Sequence, residues 1–320
     1  MKITVLDGYT LNPGDNAWQP VEALGELTVY DRTAADQIME RSQDADILLT
    51  NKTPLDANTL ARLPQLKFIG VMATGVNVVD LEAATRHNIP VSNVPEYSTE
   101  SVAQHVLAVM LSMNHRPMDH SHAVYEGRWE KAGDFCFWLS PIHELAGKTL
   151  GVVGYGRIGR RVCELAAAFN MNVLAHNPTY RNKTRLDYMR FDWCSLEQIF
   201  RESDYVSLHC PLTAENQGLV DGKLIALMKP TAVLINTSRG GLINEKALAD
   251  ALREHKISGA CLDVVSQEPI TPENPLLSAP NCLITPHNAW STLESRQRLM
   301  QKTAENVEAF LSGHPINQVN

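Results

Sequence analysis

The chain has little of what would tie it to a nucleic acid, a membrane or an oxidising compartment. Its 28 lysines and arginines are outnumbered by 36 acidic residues, for a net charge of −8, and they are scattered among the acids. No basic stripe is left for a polyanion, which excludes the ordinary nucleic-acid-binding classes. No stretch reaches the roughly 18 uninterrupted apolar residues of a membrane span; even the richest, 102–113, is broken by Gln104 and His105. The start, Met1-Lys2-Ile3-Thr4-Val5-Leu6-Asp7, is too short an apolar run for a signal peptide and lacks a small-residue cleavage site, so a first strand is expected there. The six cysteines (Cys136, Cys163, Cys194, Cys210, Cys261, Cys282) contain no C-x-x-C pair, so reduced thiols are expected, without disulfide or cysteine metal site. His115, His120 and His122 lack ligand spacing with any acid or cysteine and read as surface residues, so no metal is expected. Internal repeats are absent too. A cytoplasmic protein with no nucleic-acid or membrane partner is the expectation.

What is present is α/β winding, twice over. A chain of 320 residues exceeds the roughly 250 to 300 at which single cores stop growing, so two domains with a cleft between them are expected. With 44% hydrophobic and 20% charged residues, both can bury a core. Short β-branched runs at 3–6, 27–30, 46–49, 68–71 and 89–92 alternate with helical patterns around 34–42, 58–63 and 81–87. Ser98 or Thr99 can cap a helix from Glu100, with Val102, Val106, Val109, Met110 and Met113 at helical spacing. A second winding follows, with strands at 148–153, 172–175, 205–209, 232–236, 259–264 and 282–285. A last amphipathic helix, 293–311, is expected to return to the first lobe. The fold class expected is two doubly wound parallel-sheet lobes. One is a Rossmann nucleotide-binding domain (99–287), the other a flavodoxin-like domain (1–98 and 288–320) that holds substrate. Between them in sequence, Asp134-Phe135-Cys136-Phe137-Trp138 suits a subunit contact, an active-site rim, or equally a loop packed on its own domain.

Gly154-Tyr155-Gly156-Arg157-Ile158-Gly159 has the form G-x-G-x-x-G and lies between an expected strand and an expected helix, where a dinucleotide pyrophosphate binds. Gly154 would make the tight turn, Gly156 would admit the phosphates, and Gly159 would let helix and strand pack. Arg157 and Ile158 would supply backbone donors. At the end of the next strand, where an acid would hold the adenosine ribose and repel a 2′-phosphate, the chain has Asn177. Asn177 can hydrogen-bond a ribose but carries no charge. NAD is therefore favoured and NADP admitted, with Arg181, Lys183 and Arg185 either contacting a 2′-phosphate or simply solvated.

Arg239, Glu268 and His287 each end or follow a strand of the second lobe, where α/β sheets place their ligand crevice. Arg239, followed by Gly240-Gly241, presents a planar fork that fits a carboxylate and polarises a carbonyl oxygen, the glycines letting backbone approach a ligand. His287 is the expected acid/base, and Glu268 its partner on the other ring nitrogen, fixing the tautomer and favouring the imidazolium.

These stretches together resemble the D-isomer-specific 2-hydroxyacid dehydrogenase family. The resemblance rests on the glycine turn 154–159, Thr237-Ser238-Arg239-Gly240, Gly259-Ala260-Cys261-Leu262-Asp263-Val264 with Glu268-Pro269, and Asn274-Pro275-Leu276-Leu277 before Thr285-Pro286-His287. It implies hydride transfer between a nicotinamide and C2 of a small 2-oxo or 2-hydroxy acid. By it Arg239 binds substrate, Glu268 and His287 form the acid/base pair, Asp263 lies near the nicotinamide carboxamide, and Thr237 and Ser238 fall on the cofactor side. The loop Ala73-Thr74-Gly75 donates N–H groups to the substrate carboxylate. Lys52 either adds positive charge there or is a solvated surface lysine. A homodimer built through the nucleotide domain is also implied.

Within the family, Leu6-Asp7-Gly8-Tyr9-Thr10, 134–138 and His287-Asn288-Ala289-Trp290 look most like the glycerate dehydrogenase and hydroxypyruvate reductase branch. The alternatives are D-lactate-type or phosphoglycerate-type activity, or a dinucleotide-sensing, corepressor-like regulator without catalysis. Against the regulator stand the complete set of Arg239, Glu268 and His287 and the lack of a basic extension. Against the phosphoglycerate type, the chain is expected to leave no room for an extra regulatory domain.

Overall fold

The computed structural model describes residues 1–178 and 190–320; Arg181, Lys183 and Arg185 lie outside the described residues. The chain forms two compact units, Met1–Ser98 with Trp290–Asn320, and Thr99–Ala289.

The first unit is a five-stranded sheet of β1 (Lys2–Val5), β2 (Glu26–Val29), β3 (Ile47–Thr50), β4 (Phe68–Val71) and β5 (Val91–Ser92). The strands run in the order β2-β1-β3-β4-β5 and all pair in parallel, the flavodoxin-like order. Because successive side chains point to opposite faces, β3 sends Ile47 and Leu49 to one core and Leu48 to the other. The helix Leu293–Leu311 covers the first of these with Leu299, Met300 and Val307, and Phe310 stacks on Phe68 at 4.7 Å. Its start is fixed by Thr292, whose hydroxyl accepts from Ser295 N at 3.3 Å.

In the second unit the strands are β6 (Thr149–Val153), β7 (Asn172–His176), β8 (Phe191–Trp193), β9 (Tyr205–Leu208), β10 (Val233–Asn236), β11 (Gly259–Leu262) and β12 (Cys282–Ile284). They form one parallel sheet in the order β12-β11-β10-β9-β6-β7-β8. Among the described residues this is one strand more than the six expected. The addition is β8, a three-residue edge strand beside β7, too short and with Asp192 too polar to register as a β-branched run. β9, β10 and β11 are buried along their whole length, which is why they read as continuous apolar segments.

Helices Thr99–His115 and Arg157–Ala168 pack on one face through Val106, Met110, Val162 and Ala166. Glu245–Arg253, capped by Asn244 on Ala247 N at 3.0 Å, covers the other with Leu248 and Leu252. Each fully buried leucine contributes roughly 1.5–3 kcal/mol. Among the described residues no helix is long and apolar enough to cross a membrane.

Candidate active site

The order of the second sheet reverses between β6 and β9, and the glycine turn leaves β6 at that point. Gly154 has φ +100, and a Cβ on it would lie 2.5 Å from Cys210 N. A Cβ on Gly159 would fall 2.1 Å from the Gly154 carbonyl oxygen. These two glycines are dictated by the protein's own packing. Gly156 differs, since nothing lies within 4 Å of its added Cβ, so its bareness serves whatever comes to the turn from outside. As N-cap of the helix Arg157–Ala168 it brings no side chain to the helix start, where the positive end of the helix dipole favours an anion. The turn thus fits a pyrophosphate. Asn177 directly follows β7, half-buried.

Arg239, Asp263 and His287 follow β10, β11 and β12, three strands paired side by side in parallel, so their ends share one edge of the sheet. The turn after β10 is tied internally. Asn236 Nδ2 donates to Arg239 O at 2.8 Å, Ser238 N to Asn236 Oδ1 at 3.0 Å, and Ser238 Oγ to Leu208 O at 2.8 Å. Thr237 Oγ1 is buried and has no partner among the described residues. Arg239 gives one N–H to Ser238 O at 2.8 Å, leaving the rest of its half-buried fork for a ligand.

The expected role of the glycine pair needs correction. A Cβ on Gly240 would sit 1.9 Å from Val265 C and 2.1 Å from Val265 O, so this glycine admits the backbone of the neighbouring loop and not a ligand. Its effect is to press the Arg239 turn against the loop that carries Glu268. That loop is anchored by Glu245, which accepts from Ser266 N at 2.6 Å, Ser266 Oγ at 2.8 Å and Asn274 Nδ2 at 3.0 Å.

Glu268 Oε2 lies 2.6 Å from His287 Nδ1. With that nitrogen donating to the carboxylate, Nε2 is the atom left to exchange a proton. His287 is held at φ +51, a left-handed conformation that costs an L residue of this size about 1–2 kcal/mol. Its N–H donates to Asp263 O at 2.8 Å and Thr285 O at 3.0 Å.

Asp263 itself is 2% exposed, and its carboxylate accepts from Thr285 Oγ1 at 2.6 Å, Asn288 N at 2.9 Å and Ala289 N at 2.9 Å. The resemblance places this residue near the nicotinamide; the structure gives its carboxylate to the turn that holds His287.

In the first unit, Asp7 follows β1 and accepts from three successive N–H groups after β3: Asn51 at 2.7 Å, Lys52 at 2.5 Å and Thr53 at 2.7 Å. Sequence reasoning named Lys52, and Asp7 only within the stretch 6–10; the hold of Asp7 on the Lys52 loop gives no periodic signal. Ala73, Thr74 and Gly75 follow β4. Ala73 O accepts from Val94 N at 3.0 Å and Thr74 O from Asn93 Nδ2 at 2.7 Å. The N–H groups of residues 73–75 have no acceptor among the described residues, so they are available to an anion.

The 134–138 segment packs on its own domain only in part, with Trp129 Nε1 donating to Phe135 O at 3.1 Å. Phe135 is 86% and Trp138 65% exposed, and Phe137 alone turns back, 6.2 Å from the His120 ring. His120 is correspondingly no free surface residue, as Nε2 accepts from Leu139 N at 3.1 Å. A cavity of about 680 Å³ opens at the opposite edge of the same sheet, where Lys148, Asp204 and Asn281 precede or begin their strands. It is not the candidate ligand site, because ligands of open α/β sheets bind outside the carboxyl ends of strands.

A family model for the NAD-binding domain of D-isomer specific 2-hydroxyacid dehydrogenases matches residues 107–289. The chain belongs to this family and is an oxidoreductase that uses a nicotinamide dinucleotide on the CH–OH group of 2-hydroxy acids. It is 47% identical over 323 residues to the hydroxypyruvate reductase of Blautia hydrogenotrophica, covering 100% of both chains. It is 39% identical over 297 residues to the glycerate dehydrogenase of Methylorubrum extorquens, covering 92% of each. Among solved structures, the TT0316 protein from Thermus thermophilus is similar at TM-score 0.86 with 34% identity, covering 100% of both chains.

Proposed function

We propose that this dehydrogenase reduces a small 2-oxo acid of the hydroxypyruvate or glyoxylate kind, with D-glycerate or glycolate as the reverse substrates. The reading is carried by the 2.6 Å contact of Glu268 with His287 at the sheet edge it shares with Arg239. The names of the similar reductase and glycerate dehydrogenase support the choice of substrate.

A bound nicotinamide dinucleotide supplies or accepts the hydride at C2. His287 Nε2 gives its proton to the C2 oxygen during reduction and takes it from the hydroxyl in reverse. Glu268, on Nδ1, holds the ring in the orientation that presents Nε2 and balances the imidazolium charge. Arg239 pairs with the substrate carboxylate and draws charge onto the carbonyl oxygen. By the family resemblance, the N–H groups of Ala73, Thr74 and Gly75 are assigned to a substrate carboxylate, and Lys52 to positive charge on the loop after β3.

Gly154, Gly156, Arg157, Ile158 and Gly159 are assigned to the pyrophosphate, Asn177 to the adenosine ribose, and Thr237, Ser238 and Asp263 to the cofactor side. NAD is the favoured cofactor, NADP being admitted by the uncharged Asn177. The exposed Tyr125, Phe135 and Trp138 support a homodimer through the 99–289 unit; the cytoplasm is its proposed compartment.

Steady-state rates with NADH and NADPH across a panel of 2-oxo acids test this function. Hydroxypyruvate or glyoxylate should give the highest kcat/KM, and absence of turnover with every acid would overturn it. Arg239→Ala should lose at least about a hundredfold in kcat/KM while still binding cofactor; a fully active variant would remove Arg239 from the site.

A further inference from the structure

The helix Thr99–His115 makes two polar contacts that its packing does not require. Its apolar side is already buried through Val102, Val106, Val109 and Met110. Ser101 Oγ donates to Ala289 O at 2.6 Å, in a buried setting. One helical turn later, His105 Nε2 lies 3.2 Å from Thr285 Oγ1. Residues four apart on a helix share a face, and here they meet residues 285 and 289, the two ends of the turn that carries His287.

We propose that Ser101 and His105 are positioning residues that clamp both ends of this turn and thereby set where His287 presents its Nε2 proton. The proposal rests on His287 being the acid/base.

The hydrogen-bond directions follow from counting protons. Thr285 has one hydroxyl proton, which goes to Asp263 Oδ1 at 2.6 Å. Toward His105 the same oxygen can only accept, so His105 donates through Nε2. Its Nε2 is also 3.9 Å from Asp263 Oδ1. Burial pushes the His105 pKa down while the Asp263 charge opposes this. The neutral ring protonated on Nε2 satisfies the chain His105, Thr285, Asp263, and the carboxylate then holds Asn288 N and Ala289 N.

With His287 in a left-handed conformation, the turn would relax if its ends were released. A shift on the order of 1 Å at a reacting atom can cost a hundredfold in rate. The helix would remain seated on its apolar contacts.

The test uses the full chain with Ser101→Ala, His105→Leu, His105→Gln, Thr285→Val and the His105→Leu/Thr285→Val double variant. Readouts are kcat, KM for the 2-oxo acid, Kd for NADH and thermal midpoint. Ser101→Ala and His105→Leu should each lower kcat about tenfold or more, with the NADH Kd within about twofold. Glutamine can place an N–H near the Nε2 position, so His105→Gln should recover most of the loss. The double variant should be no slower than Thr285→Val alone, because the two groups act in one chain.

Wild-type kcat in both Ser101→Ala and His105→Leu, with only the thermal midpoint lowered, would overturn the clamp. So would His105→Gln as slow as His105→Leu, or additive losses in the double variant. If His105→Leu does not fold, Ser101→Ala, which loses a single hydroxyl, decides. His287→Asn, measured alongside, separates the two readings: retained activity there removes the acid/base assignment itself, whereas an inactive His287→Asn beside fully active clamp variants removes only the clamp.

Discussion

Glycines 240 and 156 should respond in opposite ways to the same added methyl group. At Gly240 the new Cβ would lie 1.9 Å from the carbonyl carbon of Val265, against an ordinary contact of 3.4 Å or more. The Val265 backbone or the Arg239 turn would have to yield by about 1.5 Å, and close-packed interiors absorb little of that. Overpacking of this kind costs typically 1–3 kcal/mol. Because the displaced strands of chain carry Arg239 and Glu268, kcat/KM should fall about a hundredfold.

Gly156→Ala meets no atom within 4 Å, so urea unfolding should register at most about 1 kcal/mol, the scale of a changed N-cap. Its methyl would stand in the space assigned to the pyrophosphate, and NADH affinity should weaken about tenfold or more, read by fluorescence titration. Gly241→Ala falls between, because the atom it meets at 2.9 Å is the end of the Leu212 side chain, which can rotate away. The reasoning is refuted if Gly240→Ala keeps wild-type stability and activity, or if Gly156→Ala binds NADH as tightly as the parent.

Asn177→Asp should sharpen the preference for NADH over NADPH at least about tenfold through repulsion of the 2′-phosphate; an unchanged ratio of specificity constants would mean that residue 177 does not face the ribose. His209, with Nε2 2.8 Å from Ser207 Oγ, is pushed by burial down to about 4 from a reference of 6.5. A depressed histidine contributes stability that is complete above the unfolded pKa and is lost as pH falls toward the folded one. From pH 7.5 to 5 the loss should be about 2 kcal/mol, seen as a lower urea midpoint, and His209→Asn should show a correspondingly flatter pH dependence; identical pH profiles would contradict it.

The winding was legible because parallel strands buried on both faces leave apolar runs, as at 233–236 and 259–262, and helices leave a 3.6 period, as at 293–311. β8 was not, since an edge strand of three residues has no second face to bury. Among candidate site residues, Gly154, Arg239, Glu268 and His287 could be proposed because each carries chemistry that its position after a strand makes usable. The residues that hold them in place could not. Gly240 looks in sequence like any ligand-side glycine until the Val265 backbone is seen against it. Ser101 and His105 sit inside an apolar helix and are separated by 188 and 180 residues from the partners they grip in the turn. Contacts of that kind leave no periodicity.

Asp7 and Asp263 use the same device in the two units. Each follows a strand and binds N–H groups in the loop after a neighbouring strand, Asp7 from β1 to the loop after β3 and Asp263 from β11 to the turn after β12. Strand pairing fixes the two loop origins, and the carboxylate carries that register outward to residues with no ladder of their own. Charge is needed because one side chain must accept several donors; an amide accepts through one atom and donates through the other. Asp263→Asn, though isosteric, would set an NH₂ group against Asn288 N–H or Ala289 N–H, leaving a buried donor unpaired at a cost of about 1–3 kcal/mol. Thr285 could reverse its hydroxyl to meet the amide; the backbone N–H groups cannot reverse. The expected result is a lowered thermal midpoint with kcat reduced about tenfold or more as His287 loses its fixed turn. An Asp263→Asn enzyme with parental kcat would show that the turn keeps its shape without the carboxylate, and that the ordering of His287 has another source.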